Sequence, residues 1–495
     1  MSSSVLIPTR SAISVMGTTW AAWAMSRSEG MGDEFKGASW ARGIRYRKVT
    51  PPHGFYIMLT RLAGRLASSS PFFLHPGWGQ EPLRRWTSAT GFQGEEGGFL
   101  LWGWAFLIFH LGRGSAQIPG GNPLMDWVDL LLVAARVVGV FALLVVLTIV
   151  NIWLERKIVA DMQNRVGPAR AGPWGILQTL ADGVKLFFKE QVTPRKVDLG
   201  AYLLAPFLAV VPAFLIFMMV PLGPGLEVAG RQVPLQGADL NIGILFILAM
   251  SSMAVYAVVL AGWSSGSKYP LLGGVRATAQ AISYEAAMGL AMVAVVMFSA
   301  TAPGAESGTL SLAEIVERQS GNWSGTVAFL DPVLSLIPRW YVFPQVVAFV
   351  IFFLSAVAET NRAPFDLVEA EQELVGGFHT EYSGIRFAMF FLAEYINILS
   401  MCAIAATLFF GGWNGPTWEG VMPGWISAIL PVVWLMLKSY VLVVAFFWIR
   451  ATLPRLRYDQ LMSLGWKRLI PASMLWLVVS TVVIGFRQFG LPFIG

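Results

Sequence analysis

The sequence predicts an all-α polytopic membrane protein with about eight transmembrane helices and an amphipathic helix in the interface plane. Three observations carry that reading. Hydrophobic residues make up 55% of the chain, with 33 Phe, 20 Trp and a mean hydropathy of +0.61, more apolar surface than a water-soluble domain can hide. Apolar windows of about 20 residues recur along the chain, each long enough to cross a bilayer as a helix. Lysine and arginine concentrate in alternate loops, chiefly from Arg156 to Lys196 and from Arg450 to Arg468. Charged residues are only 13% of the chain, so any charge inside an apolar run calls for an explanation.

Residues 1–124 are rich in Gly, Ser, Arg and Trp, without a sustained helical period. Their one apolar run, Phe99–Leu111, is short for a span. They are expected to form a poorly ordered extension, or to reflect an over-long gene model whose native start is Met125. Residues 125–495 then form the transmembrane domain. Its predicted spans are Trp127–Asn151, Leu199–Pro221, Asn241–Gly262, Ala277–Phe298, Val342–Ala358, Ile385–Phe410, Trp425–Ile449 and Leu469–Phe486. The positive-inside rule places the basic loops after spans one, three, five and seven in the cytoplasm.

The composition excludes several classes. One cysteine, Cys402, rules out a disulfide framework and any iron–sulfur cluster ligated by this chain alone. Of four histidines, only His110 and His379 lie at or near an apolar segment, which leaves little room for haem. The net charge of +6 and pI near 9.4 suit contact with anionic lipid and do not call for nucleic acid. No metal site is expected.

After span one, Gly-Pro at 167–168 and again at 172–173 forces two turns, because proline fixes φ and glycine permits positive φ. Ile176, Leu180, Val184 and Phe188 then recur every four residues opposite Gln178, Asp182, Lys185 and Lys189. That pattern predicts an amphipathic helix of about 15 residues near Pro173–Lys189, lying in the membrane surface.

The densest chemistry follows span five. Glu359, Asp366, Glu369, Glu371, Glu373 and Glu381 share one stretch with Arg362 on the cytoplasmic side, where a purely topological loop would be basic. Carboxylates beside hydrocarbon are costly to ionise, so such a cluster points to proton handling. Glu285 in span four and Glu394 in span six fall at membrane depth, where their neutral forms are favoured and proton exchange near neutral pH becomes accessible. A static interhelical hydrogen bond is the plainer role for either. Arg136 and Lys438 also lie inside spans and read as snorkelling or structurally paired cations.

Three segments together resemble the H-type membrane component of respiratory NADH:quinone oxidoreductase, complex I, over roughly residues 125–487. They are Glu155-Arg-Lys with Gln163-Asn-Arg-Val-Gly-Pro and Gly172-Pro-Trp-Gly-Ile-Leu-Gln; Ala358-Glu-Thr-Asn-Arg-Ala-Pro-Phe-Asp-Leu with Glu369-Ala-Glu-Gln-Glu-Leu-Val-Gly-Gly; and Leu392-Ala-Glu-Tyr. The Gly-Pro frame is intact, although Ala169 and Ala171 stand where the family commonly has Asn and Val. The resemblance implies a chain that walls the quinone tunnel and carries the first carboxylates of the proton path. By analogy Arg156, Arg165, Arg362, Phe365 and Asp366 line or support the quinone cavity together with Glu359. Glu155, Glu285, Glu359, Glu369, Glu371, Glu373, Glu381 and Glu394 form the acidic channel. It further implies quinone as substrate, FMN and iron–sulfur clusters on partner subunits of the membrane and peripheral arms, and a bacterial inner membrane location. The alternatives are a membrane component of an energy-converting hydrogenase and a stand-alone secondary transporter. Neighbouring genes for the other complex I subunits would support the resemblance, and hydrogenase genes would overturn it.

Overall fold

The computed structural model describes residues 127–489, apart from 229–230, 303–304, 306, 323–337, 368–370 and 417–423. The expected extension 1–124, the Phe99–Leu111 run and Glu369 lie outside the described residues. Among the described residues the chain is helical almost throughout, with seven helices long and apolar enough to cross a membrane and one shorter apolar helix.

The long helices are α1 (Trp127–Met162), α3 (Leu199–Met218), α4 (Gly243–Ser264), α5 (Lys268–Ser299), α9 (Gly384–Phe409) and α10 (Gly424–Thr452). The last span is composite: α11 (Tyr458–Leu464), a π-helical turn at Gly465–Leu469, then α12 (Ile470–Phe489). Between them lie the interfacial α2 (Gln178–Phe188), a two-stranded hairpin of β1 (Leu226–Val228) and β2 (Arg231–Val233), α6 (Leu312–Arg318), the short span α7 (Val346–Glu359) and a single turn, α8 (Glu371–Leu374). Hence the eight expected spans are present.

Two boundaries differ from the sequence expectation in ways that matter for the site. Helix α1 continues past Asn151 to Met162, so Glu155 and Arg156 sit on its last turns and not in a loop. Charge lowers the local hydropathy there, but Leu154 and Ile158 still pack against the core and the helix continues. The interfacial helix is 11 residues long, not about 15, because Gly175 at φ +80° separates it from a 3₁₀ turn at Pro173–Gly175. A Cβ at Gly175 would meet the Pro168 carbonyl oxygen at 2.2 Å, so the double Gly-Pro turn requires glycine there.

Helix α3 packs on α4 and α9, α4 on α5, and α5 on both α7 and α12, while α9 also contacts α1 and α10. The interior is filled by fully buried side chains such as Tyr202, Phe217, Met288, Phe352 and Phe409. The outward faces of α1 and α12 are apolar too: Leu131, Val138 and Phe141 on α1, and Leu475, Val478 and Val482 on α12, are exposed. These spacings of three, four and seven residues make the lipid-facing stripe, and they explain why the hydropathy shows no amphipathic period. On α2 the apolar residues point outward: Leu180, Val184, Phe187 and Phe188 are exposed, as is Trp174 before it. An outward apolar face beside lysines suits a helix lying in the membrane interface.

Candidate functional site

Helix α7 has 14 residues and rises about 21 Å, less than the roughly 30 Å of a hydrocarbon core. Its C-terminal residue is Glu359, which faces the neighbouring helices α4 and α5. Asn361 at φ +53° then reverses the chain. The turn is fixed from α5, where the Gln280 amide donates to the carbonyls of Ala358 at 2.7 Å and Phe365 at 2.8 Å. Ser251 on α4 hydrogen-bonds Glu359, and its neighbour Ser252 hydrogen-bonds Glu285 on α5. This serine doublet, unremarkable within an apolar helix, ties two candidate carboxylates to one element. Sequence reasoning misses it because its partners come from distant segments.

The end of α1, the start of α9 and the end of α10 meet the start of the acidic loop in a second cluster. Glu155 is buried and forms ion pairs with Arg450 and, at 3.6 Å, with Arg362. Tyr395 donates its hydroxyl to Glu155 Oε2 at 2.5 Å. Arg362 is also buried, forms an ion pair with Glu394 at 2.5 Å and lies 4.7 Å above the Tyr395 ring. Buried Glu155 and half-buried Glu394 thus share the guanidiniums of Arg362 and Arg450, which offsets the cost of taking these charges out of water. Arg450 and Tyr395 do not stand out in the sequence; the arginine reads there as the end of an apolar run.

Two cavities flank this cluster. One, of about 90 Å³, is lined by Ser251, Glu359, His379, Glu394, Asn397 and apolar neighbours. Glu359 Oε2 and Asn397 Oδ1 have no hydrogen-bond partner among the described residues. A cavity of this size, apolar over most of its wall but carrying unsatisfied buried oxygens, has room for water at those oxygens. The second, of about 530 Å³ and more open, is lined by Glu155, Arg156, Gln163, Arg165, Tyr395 and Arg450. Arg156 bonds Asp182 of α2 at 2.7 Å, and Arg165 bonds Gln163 at 2.6 Å. Although burial raises the Asp182 pKa, the Arg156 hydrogen bond and charge outweigh it and hold the carboxyl below its usual range.

The structure brings Glu155, Arg362 and Glu394 into direct contact and places Glu359 beside Glu394 in the smaller cavity, with Arg156 and Arg165 on the wider one. Other candidates stand apart. Glu285 opens onto an apolar groove lined by Leu248, Ile282, Gly289 and Val293. Phe365 is buried against Tyr284, ring centroids 5.3 Å apart, where it packs the turn. Asp366 follows it, half-buried. Glu371 begins the single turn α8. Glu373 is exposed and ion-paired with Arg276 at 2.7 Å and Arg455 at 3.0 Å; the Arg276 hydrogen bond pulls its pKa down. Glu381 is half-buried, and its backbone carbonyl accepts a 2.8 Å hydrogen bond from Tyr202.

Fold and site together define a multi-pass helical membrane protein that buries paired charges at one end of its bundle. The sequence profile of the NADH dehydrogenase family matches residues 135–481, well over half of the chain, and the chain belongs to that family. It is a membrane subunit of a complex I type NADH dehydrogenase.

Proposed function

We propose that this subunit couples quinone reduction to proton translocation in the inner membrane of a bacterium, assembled with the other membrane and peripheral subunits of the complex. FMN and the iron–sulfur clusters are held by those partners, and quinone is the substrate that meets this chain. The wider cavity, with Arg156, Arg165 and Glu155, forms part of the quinone-access chamber. Its guanidiniums attract a quinone that gains negative charge on reduction. Phe365 and Asp366 support that chamber by holding the turn from which Arg362 projects.

The observation that carries the reading is Arg362, which touches Glu155 at the wide cavity and Glu394 at the small one. A charge appearing on one side is felt by a carboxylate on the other through a single guanidinium. Glu359, Glu394 and Glu285 then carry the proton onward through the bundle, with Glu371, Glu373 and Glu381 on its cytoplasmic approach.

Glu359→Gln and Glu394→Gln keep shape and most hydrogen bonding but cannot titrate. Each is expected to lower quinone-dependent turnover and membrane-potential formation in vesicles at least about tenfold in an assembled complex, with partial activity in the Asp variants. Wild-type pumping in both Gln variants would contradict the proposal.

A further inference from the structure

We infer that His379 is a proton-path residue, linking the water-sized cavity at Glu359 and Glu394 to the cytoplasmic loop around Gly376. The inference rests on the reading of that cavity as part of a proton path. Helix α9 and the turn at Gly377–His379 cage the imidazole between Phe378, Phe387 and Phe391, with ring centroids 5.0, 5.2 and 5.7 Å away. His379 lines the cavity shared with Glu359, Glu394 and Asn397. Its Nε2 is 3.8 Å from where a Cβ on Gly376 would sit. The residue therefore touches both the cavity and the Gly376 turn.

Three further facts fit the role. Among the described residues neither ring nitrogen takes part in a hydrogen bond, so both remain available to water. The turn is seated by a close backbone approach: a Cβ on Gly273 of α5 would meet Phe378 N at 2.8 Å. Burial holds the His379 pKa down to about 4, so the ring is neutral at physiological pH. A neutral imidazole has one N–H and one lone pair, the pair of functions a relay needs. A proton from the loop side adds to the unprotonated nitrogen, the proton on the other nitrogen leaves to cavity water, and a ring flip or tautomer exchange restores the start. No proton is gained or lost by the ring over the cycle. The other titratable groups nearest the turn are Glu359 and Glu394 on the cavity side and Tyr382, stacked on Tyr202, behind it.

The test uses the whole complex in vesicles. His379→Phe keeps a ring in the cage but removes both nitrogens, and it is expected to lower coupled quinone-dependent turnover about tenfold. NADH oxidation by an artificial acceptor at the peripheral arm should be unchanged. In His379→Ala, added imidazole should restore several-fold activity, rising with the concentration of its neutral form, a response that a packing role would not give. Wild-type pumping in His379→Phe alongside loss in Glu359→Gln would overturn the inference and leave the proton path standing. Wild-type pumping in all three variants would overturn both. Should His379→Phe fail to assemble, the Ala variant decides, and absence of imidazole rescue there overturns the inference.

Discussion

Two cationic sites solve the same electrostatic problem with different partners. At one end of the bundle Lys438 of α10 donates to the carbonyls of Phe410, Gly412 and Asn414 at 2.8, 2.9 and 2.5 Å and lies 4.9 Å from the Trp340 ring centroid. It caps the C-terminal end of α9, where the helix leaves its last carbonyls unpaired. At the other end Arg362 and Arg450 are neutralised by Glu155 and Glu394. Backbone carbonyls and an indole ring have fixed charge distributions, whereas carboxylates gain and lose protons. The lysine site is a static tie. In the arginine site the partners themselves can change charge in response to a neighbour.

Breaking the arginine cluster should have the largest effect. Arg362→Ala leaves Glu155 with Arg450 alone and strips Glu394 of its guanidinium, and loss of one partner from a buried pair costs about 3–5 kcal/mol. Assembled yield and quinone-dependent turnover should both collapse, and turnover per assembled complex should remain at least about tenfold down. Normal turnover per assembled complex would place Arg362 with Lys438 as a tie.

Lys438→Met sharpens the contrast from the other side. It removes a buried charge together with its bonds and leaves three carbonyls short of a donor, at roughly 1–3 kcal/mol for each group left unsatisfied. Thermal stability and yield should fall, while turnover per assembled complex stays within about twofold of wild type. A selective loss of pumping in a fully assembled Lys438→Met complex would break the comparison.

The smallest effect is local and depends on pH. Burial lowers the His379 pKa to about 4 from its ordinary 6.5, so the folded state favours the neutral ring. Above pH 6.5 the ring is neutral in both folded and opened forms and contributes no pH dependence. As pH falls from 6.5 towards 4 the opened form takes up a proton and the folded form does not, so the turn loses stability, and the loss levels off below about 4. Hydrogen exchange of amides 376–383, corrected for intrinsic rate, should rise across that window in wild type and lose this dependence in His379→Asn. The same slope in both would assign it to another group.

Much of this architecture is legible in the sequence because the bilayer imposes length and hydropathy on every span. The eight windows, the Gly-Pro turns and the outward apolar face of α2 follow from local pattern. The site is only half legible. Glu359, Arg362 and Glu394 stand out as charges in or beside apolar runs, but their partners are set by helix packing that no local period encodes. Arg450 looks like a boundary, Ser251 and Ser252 like filler, and His379 draws no notice for want of a partner three or four residues away. Its neighbours come instead from α9, and its turn packs on α4 and α5. The end of α1 is misplaced for a related reason: Glu155 and Arg156 resemble a loop until Arg450 and Asp182 are seen to meet them.

The most direct test of the account is to watch the carboxyls while quinone is reduced. Redox-triggered infrared difference spectroscopy of the intact complex in lipid reports protonated carboxyl groups through their C=O stretch. The wild-type spectrum should show a carboxyl band that changes on quinone reduction, and Glu359→Gln and Glu394→Gln should each remove part of it while the quinone bands persist. A carboxyl spectrum that is identical in wild type and both Gln variants, with quinone fully reduced, would contradict the claim that this cluster converts quinone charge into proton movement.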